Sequence, residues 1–96
     1  MAQYVILVNW TEKGVGGAKE TTERARQVQD MIKQQGGNMH TLLWTLGRYD
    51  LVGIMEAKDD EAAALIGLKV GAMGTVRTET LRAFTADEMS GIVGKL

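Results

Sequence analysis

Four consecutive residues, Gly47-Arg48-Tyr49-Asp50, bring a cation, a phenol and a carboxylate together between two apolar runs. Arg48 could hold an anionic group through charge-assisted hydrogen bonds, with Tyr49 and Asp50 acting as donor and base beside a pocket. The same residue types also suit a plain turn, in which Gly47 supplies backbone freedom, Asp50 accepts from turn amides and Tyr49 packs over a sheet edge. Asn9 leaves the first apolar run together with Trp10 and Thr11 and adds a polar amide. His40 is the only imidazole, a general base or an axial haem ligand in its chemical reach, although one histidine is a weak signal for either. Asn9, His40, Arg48, Tyr49 and Asp50 are the candidate ligand-binding residues, with no catalytic residue assigned.

Other chemistry is bounded by composition. The chain has no cysteine, which excludes disulfides, thiolate nucleophiles and Cys-based metal centres, and with one histidine no multi-histidine site forms within a single chain. No metal and no cofactor are expected. Eleven basic and twelve acidic side chains give a net charge of −1 with the basic residues scattered, so no stripe fits nucleic acid or an anionic membrane. The opening MAQYVILVNW lacks a basic leader and turns polar at Asn9, and no apolar run reaches the roughly 20 residues of a membrane span. The expected location is cytoplasmic. The glycine-rich stretch GVGGAKE (14–20) exposes amides before a helix but lacks the spacing of a nucleotide motif, and reads as a flexible loop or a lid.

These groups must be positioned by a small number of elements. Gln3–Trp10 reads as a strand. A helix runs from about Thr21, with Ala25, Val28 and Ile32 at helical spacing, to a glycine stop at Gly36 and Gly37. Residues 38–46 and 50–56 form a hairpin closed by Gly47–Asp50. Asp59, Asp60 and Glu61 open a second helix that Gly74 closes, and 75–84 forms a fourth strand. Thr85 and Glu88 make a capping box before a short final helix with Met89, Ile92, Val93 and Leu96 on one stripe. The order βαββαβ plus a terminal helix predicts a ferredoxin-like α+β fold, a four-stranded antiparallel sheet with two helices on one face, in one domain over 1–96.

Both faces of that sheet read as apolar. Tyr4, Ile6, Val8 and Trp10 alternate with Val5, Leu7 and Asn9; His40, Leu42, Trp44 and Leu46 with Met39 and Leu43; Leu51 and Met55 with Val52 and Ile54. A sheet face left to water should be polar, so a second copy is expected to cover it as an isologous dimer. Gly67 and Gly71, four apart in the second helix, would permit close approach of another backbone or a flat ligand. Arg77 and Glu79 share one face of the fourth strand, and a one-residue error of register decides whether that face is wet or enclosed.

The segments YVILVNWTEKG (4–14), LGRYDLVGIMEAKDDEAA (46–63) and GTVRTETLRAFTADE (74–88) resemble the GYD domain family, small prokaryotic proteins named for a Gly-Tyr-Asp signature that stands here as Gly47, Arg48, Tyr49 and Asp50. The resemblance implies a ferredoxin-like fold of the dimeric α+β barrel kind and no established activity. Such barrels include cofactor-free oxygenases, isomerases, haem enzymes and ligand-sensing regulators. The expectation is a small-molecule-binding homo-oligomer with a pocket between sheet and helices. The alternatives are a cofactor-independent oxygenase or isomerase in which Tyr49 or His40 handles a proton, and a structural assembly protein without activity.

Overall fold

Alternation in the first run puts Tyr4, Ile6 and Val8 on one side of β1 (Ala2–Trp10), where all three are buried, and Val5, Leu7 and Asn9 on the other, where each keeps part of its surface. The structure, a computed structural model, describes residues 1–96. After β1 come α1 (Glu12–Gly16), a short 3₁₀ turn at Ala18–Glu20, α2 (Thr21–Gln34), β2 (Asn38–Trp44), β3 (Leu51–Ala57), α3 (Asp60–Ala72), β4 (Val76–Ala83) and α4 (Ala86–Val93). The strands form one antiparallel sheet in the order β2-β3-β1-β4. This is the expected α+β arrangement, with β1 held centrally between β3 and β4.

Pairing across the sheet fixes which residues share a face. Tyr4, Ile6 and Val8 stand opposite Met55, Gly53 and Leu51 on β3 and opposite Arg82, Thr80 and Thr78 on β4. Ile32 of α2 and Ala63, Ile66 and Val70 of α3 close over that face and complete the buried core with Tyr4, Ile6, Val8, Leu51, Met55 and Ala57. The helices start where the chain supplies caps. Asp59 accepts from the Ala62 amide at the head of α3, and Thr85 and Glu88 exchange both bonds of a capping box at the head of α4. Gly36, Gly47 and Gly74 take positive φ angles of 81°, 106° and 80°, ending α2, bending the hairpin and leading into β4.

The opposite face lies open. Val5 pairs with Ile54 and Leu81, and Leu7 with Val52, which in turn pairs with Leu43, so these six side chains form one contiguous apolar patch. Ile54, Leu43 and Leu81 remain exposed. Arg77 and Glu79 stand opposite Asn9 and Leu7 on this same open face, both exposed, and they form no ion pair with each other. No helix is long and apolar enough to cross a membrane.

Three local readings change. Simple alternation along residues 38–46 placed His40 with Leu42 and Trp44, but a register shift between Met39 and Thr41 bulges β2. Met39 now shares the helix-covered face with Leu42, while His40 sits beside Glu56, Nε2 to Oε1 3.9 Å. The strand also stops at Trp44 rather than 46, leaving Leu46 wholly exposed in the turn. The glycine-rich loop is partly helical: Thr11 caps α1 by accepting from the Gly14 amide at 3.1 Å.

Candidate functional site

Residues 44–51 close the hairpin in a corner braced from β1. The Trp10 amide donates to Asp50 Oδ2 and the Asp50 amide to the Val8 carbonyl, each at 2.8 Å, and Asn9 Nδ2 donates to the Arg48 carbonyl at 2.8 Å. Across the turn, Thr45 Oγ1 donates to the Tyr49 carbonyl at 2.6 Å. The structure thus brings Asn9, Arg48, Tyr49 and Asp50 together, through one carboxylate, one side-chain amide and several main-chain groups. The Arg48 side chain is exposed and in no ion pair. His40 is apart from this corner, on the sheet edge against Glu56.

None of those five residues lines the cleft between the helices and the sheet. Helices α2 and α3 make no extensive contact with each other, and between them a cleft of about 330 Å³ opens down to the sheet. Its floor is Ile6 and Val8 of β1 with Leu51 and Met55 of β3; its walls are Val28 and Ile32 of α2 and Ile66 and Val70 of α3. Trp10 and Met73 stand at one end, and Thr78 and Thr80 of β4 supply hydroxyls. Trp44 braces the α2 side, its Nε1 donating to Thr21 Oγ1 at 3.0 Å. Arg24 is the single charged side chain of the lining, which contains no carboxylate, imidazole or phenol.

Arg24 occupies that position because α1 receives it. Its Nη1 donates to the Gly17 carbonyl at 2.6 Å and its Nη2 to the Gly14 carbonyl at 2.9 Å. The glycines permit this approach: a Cβ on Gly17 would stand 2.9 Å from Arg24 Nη1, and one on Gly14 would stand 1.9 Å from the Thr75 carbonyl oxygen. The glycine-rich stretch therefore serves close backbone packing. Thr11 reinforces it, donating from Oγ1 to the Gly74 carbonyl at 2.7 Å and from its amide to the Thr75 carbonyl at 3.1 Å.

Sequence reasoning placed the pocket between sheet and helices but did not single out Arg24. A signal was there, since Arg24 stands four residues before Val28 and eight before Ile32, at the head of the apolar stripe of α2. A second polar group lies away from the cleft. Tyr4 Oη donates to Asp60 Oδ1 at 2.6 Å, and the Arg82 guanidinium lies 5.6 Å from the Tyr4 ring centroid and 4.6 Å from that of Phe84. Burial of the ring, followed by the bond to Asp60, pushes the Tyr4 hydroxyl up to about 12.

Comparison with known proteins agrees with this architecture. The family model described as GYD domain matches residues 4–93. The chain is 28% identical over 90 residues to the glutamine synthetase and cystathionine beta-lyase binding protein of Thermus thermophilus, covering 93% of this chain and 95% of that one. Among solved structures, TTHA0845 from Thermus thermophilus superposes with a TM-score of 0.59 at 24% identity, over 90% of this chain and 96% of that chain. FFRP-DM1 superposes with a TM-score of 0.61 at 19% identity, over 88% and 100%. At these identities the two structures speak for the fold.

Proposed function

The chain belongs to the GYD domain family, and from that premise we propose that it is a binding module, self-associated through the open face of its sheet, that holds one small molecule in the cleft between α2, α3 and the sheet. The observation that carries this reading is the cleft itself. Its volume of about 330 Å³ and mainly apolar lining fall at the lower end of the range for sites that enclose a single small ligand. A cofactor-independent oxygenase or isomerase would need a proton-handling group against its substrate, and the lining brings none forward.

Self-association rests on surface. The chain exposes 6314 Å², against about 5,400 Å² for a compact monomer of its mass. The excess, on the order of 900 Å², is comparable with what one partner buries in a stable interface of standard size. The patch of Val5, Leu7, Leu43, Val52, Ile54 and Leu81 is where an isologous partner would sit. At the hairpin corner the exposed Arg48 side chain is proposed to meet an anionic group, with Asn9, Tyr49 and Asp50 shaping the corner that presents it. His40, apart on the sheet edge beside Glu56, is proposed as a separate polar contact.

The cleft is tested with a neutral fluorescent probe, N-phenyl-1-naphthylamine. A Cβ on Gly67, which lines the cleft, meets nothing within 4 Å, so a side chain can start there, and Gly67→Leu is chosen to occupy the cleft. The wild type is expected to bind the probe and the variant to lose it while keeping its circular dichroism. Equal binding by both would overturn the reading.

A second reading follows from the relative named for binding glutamine synthetase and cystathionine beta-lyase: this chain docks on a metabolic enzyme. Surface plasmon resonance against those two enzymes from the same source tests it.

A further inference from the structure

Resting on the cleft reading, we propose that the ligand is an amphipathic monocarboxylate, its acid group on Arg24 and its apolar body along Val8, Leu51, Met55 and Ile66. The cleft is apolar on floor and walls and carries one charge, positive, on a half-buried residue. The ion pairs of this molecule are Arg26 with Glu23 and Arg82 with Asp60, and His40 lies beside Glu56. Arg24 forms no ion pair; the Glu20 carboxylate, one turn earlier, borders the same Gly17 position without reaching pairing distance.

A guanidinium carries five N–H donors and no acceptor. Two of those of Arg24 are held by the Gly14 and Gly17 carbonyls, one on each terminal nitrogen. These bonds fix the plane of the group and leave three donors uncommitted. Neutral carbonyls satisfy hydrogen bonding without neutralising the charge, so an incoming carboxylate gains a charge-assisted bond in surroundings drier than bulk water. The threonine hydroxyls at positions 78 and 80 line the β4 side. A ligand with a single acidic end and a hydrocarbon or aromatic body matches this distribution. A dianion or a sugar phosphate would have to place its second polar end against the aliphatic walls, which is unfavourable.

The test compares decanoate with decan-1-ol, which share a chain and differ in charge, below the critical micelle concentration of decanoate. The readout is the intrinsic tryptophan emission of the otherwise unaltered chain, to which Trp10, lining the cleft, contributes. Decanoate is expected to bind about tenfold or more tightly than decanol, the usual scale for a hydrogen bond to a charged group. In Arg24→Gln this preference should vanish, decanol affinity staying within about twofold, and Arg24→Lys should restore part of it.

A wild type that binds both ligands equally overturns the carboxylate assignment and leaves the cleft reading intact. An Arg24→Gln variant that weakens both ligands equally also overturns it, since Arg24 would then act only by holding α1. Failure of both ligands and of N-phenyl-1-naphthylamine removes the cleft reading itself.

Discussion

Gly14 and Gly16 are two positions apart in the same short helix, yet their surroundings differ completely. A methyl on Gly14 would be driven into the Thr75 carbonyl at 1.9 Å, whereas one on Gly16 meets nothing within 4 Å. Gly14→Ala is therefore expected to destabilise the fold by about 1–3 kcal/mol, the usual range for forcing an extra carbon into a packed site. Gly16→Ala should be neutral or slightly stabilising, and urea unfolding of the two variants separates the cases. Asp50 makes a related prediction. Its carboxylate accepts from the Trp10 amide, so Asp50→Ala leaves a main-chain donor without its partner and should lower stability by about 1–3 kcal/mol. The buried Tyr4 hydroxyl gives a pH dependence. Its pKa in the folded chain, pushed up to about 12, lies above the unfolded value of 10.0, so folding favours the neutral phenol. That stabilisation is complete below pH 10 and is lost as pH rises toward 12. Alkaline denaturation of Tyr4→Phe should lack this component.

At the scale of elements, α4 behaves differently from α2 and α3. Its capping box is complete, but it makes no extensive contact with any other element. The Thr85 amide lowers the Glu88 pKa by donating to its carboxylate. The contribution of this bond is present above the ordinary carboxylate range and disappears as pH falls and the group protonates. Thr85→Ala should remove about 1 kcal/mol of local helix stability. Because little rests on α4, hydrogen exchange at the first amides of the helix should report the change while the global unfolding midpoint barely moves. Strands, helices and the Thr85–Glu88 capping box were legible in the sequence because such patterns are local, whereas the cap expected from Thr21 or Thr22 was not found, α2 starting from Glu20 without a side-chain cap. The bulge at Met39–Thr41 was not legible, since it follows from pairing with β3, and a single extra residue moved His40 off the face its parity assigned. Five-residue α1 was also hidden, a helix that short depending on the contacts of its glycines and on Thr11 rather than on periodicity. The cleft was foreseen as a location. Its lining was not, because attention to clustered polar residues selects turns, whereas Arg24 stands alone among apolar neighbours.

For the molecule as a whole, dimensions and surface agree. A Cα radius of gyration of 14.3 Å exceeds the roughly 12.5 Å of a compact chain of this length, and the extents of 49 × 30 × 18 Å describe a flattened body. Only 12 of 96 residues are buried, a small core for a lone chain. If two copies meet at the open sheet face, Ile54→Lys, at the centre of the apolar rows, should convert dimer to monomer in light scattering after size exclusion, with a lower thermal midpoint. A wild type that runs as a monomer at micromolar concentration would contradict the proposed assembly.

The central place of β1 carries a consequence for how the molecule is made. Its Tyr4, Ile6 and Val8 pair on one side with residues 51–55 and on the other with residues 78–82, so β1 waits for β4, a strand synthesised well after it. Until Val76–Ala83 has left the ribosome, one whole edge of a strongly apolar ribbon stays unsaturated. Misassociation should peak in that interval, and nascent chains halted between β3 and β4 are where a chaperone would be found.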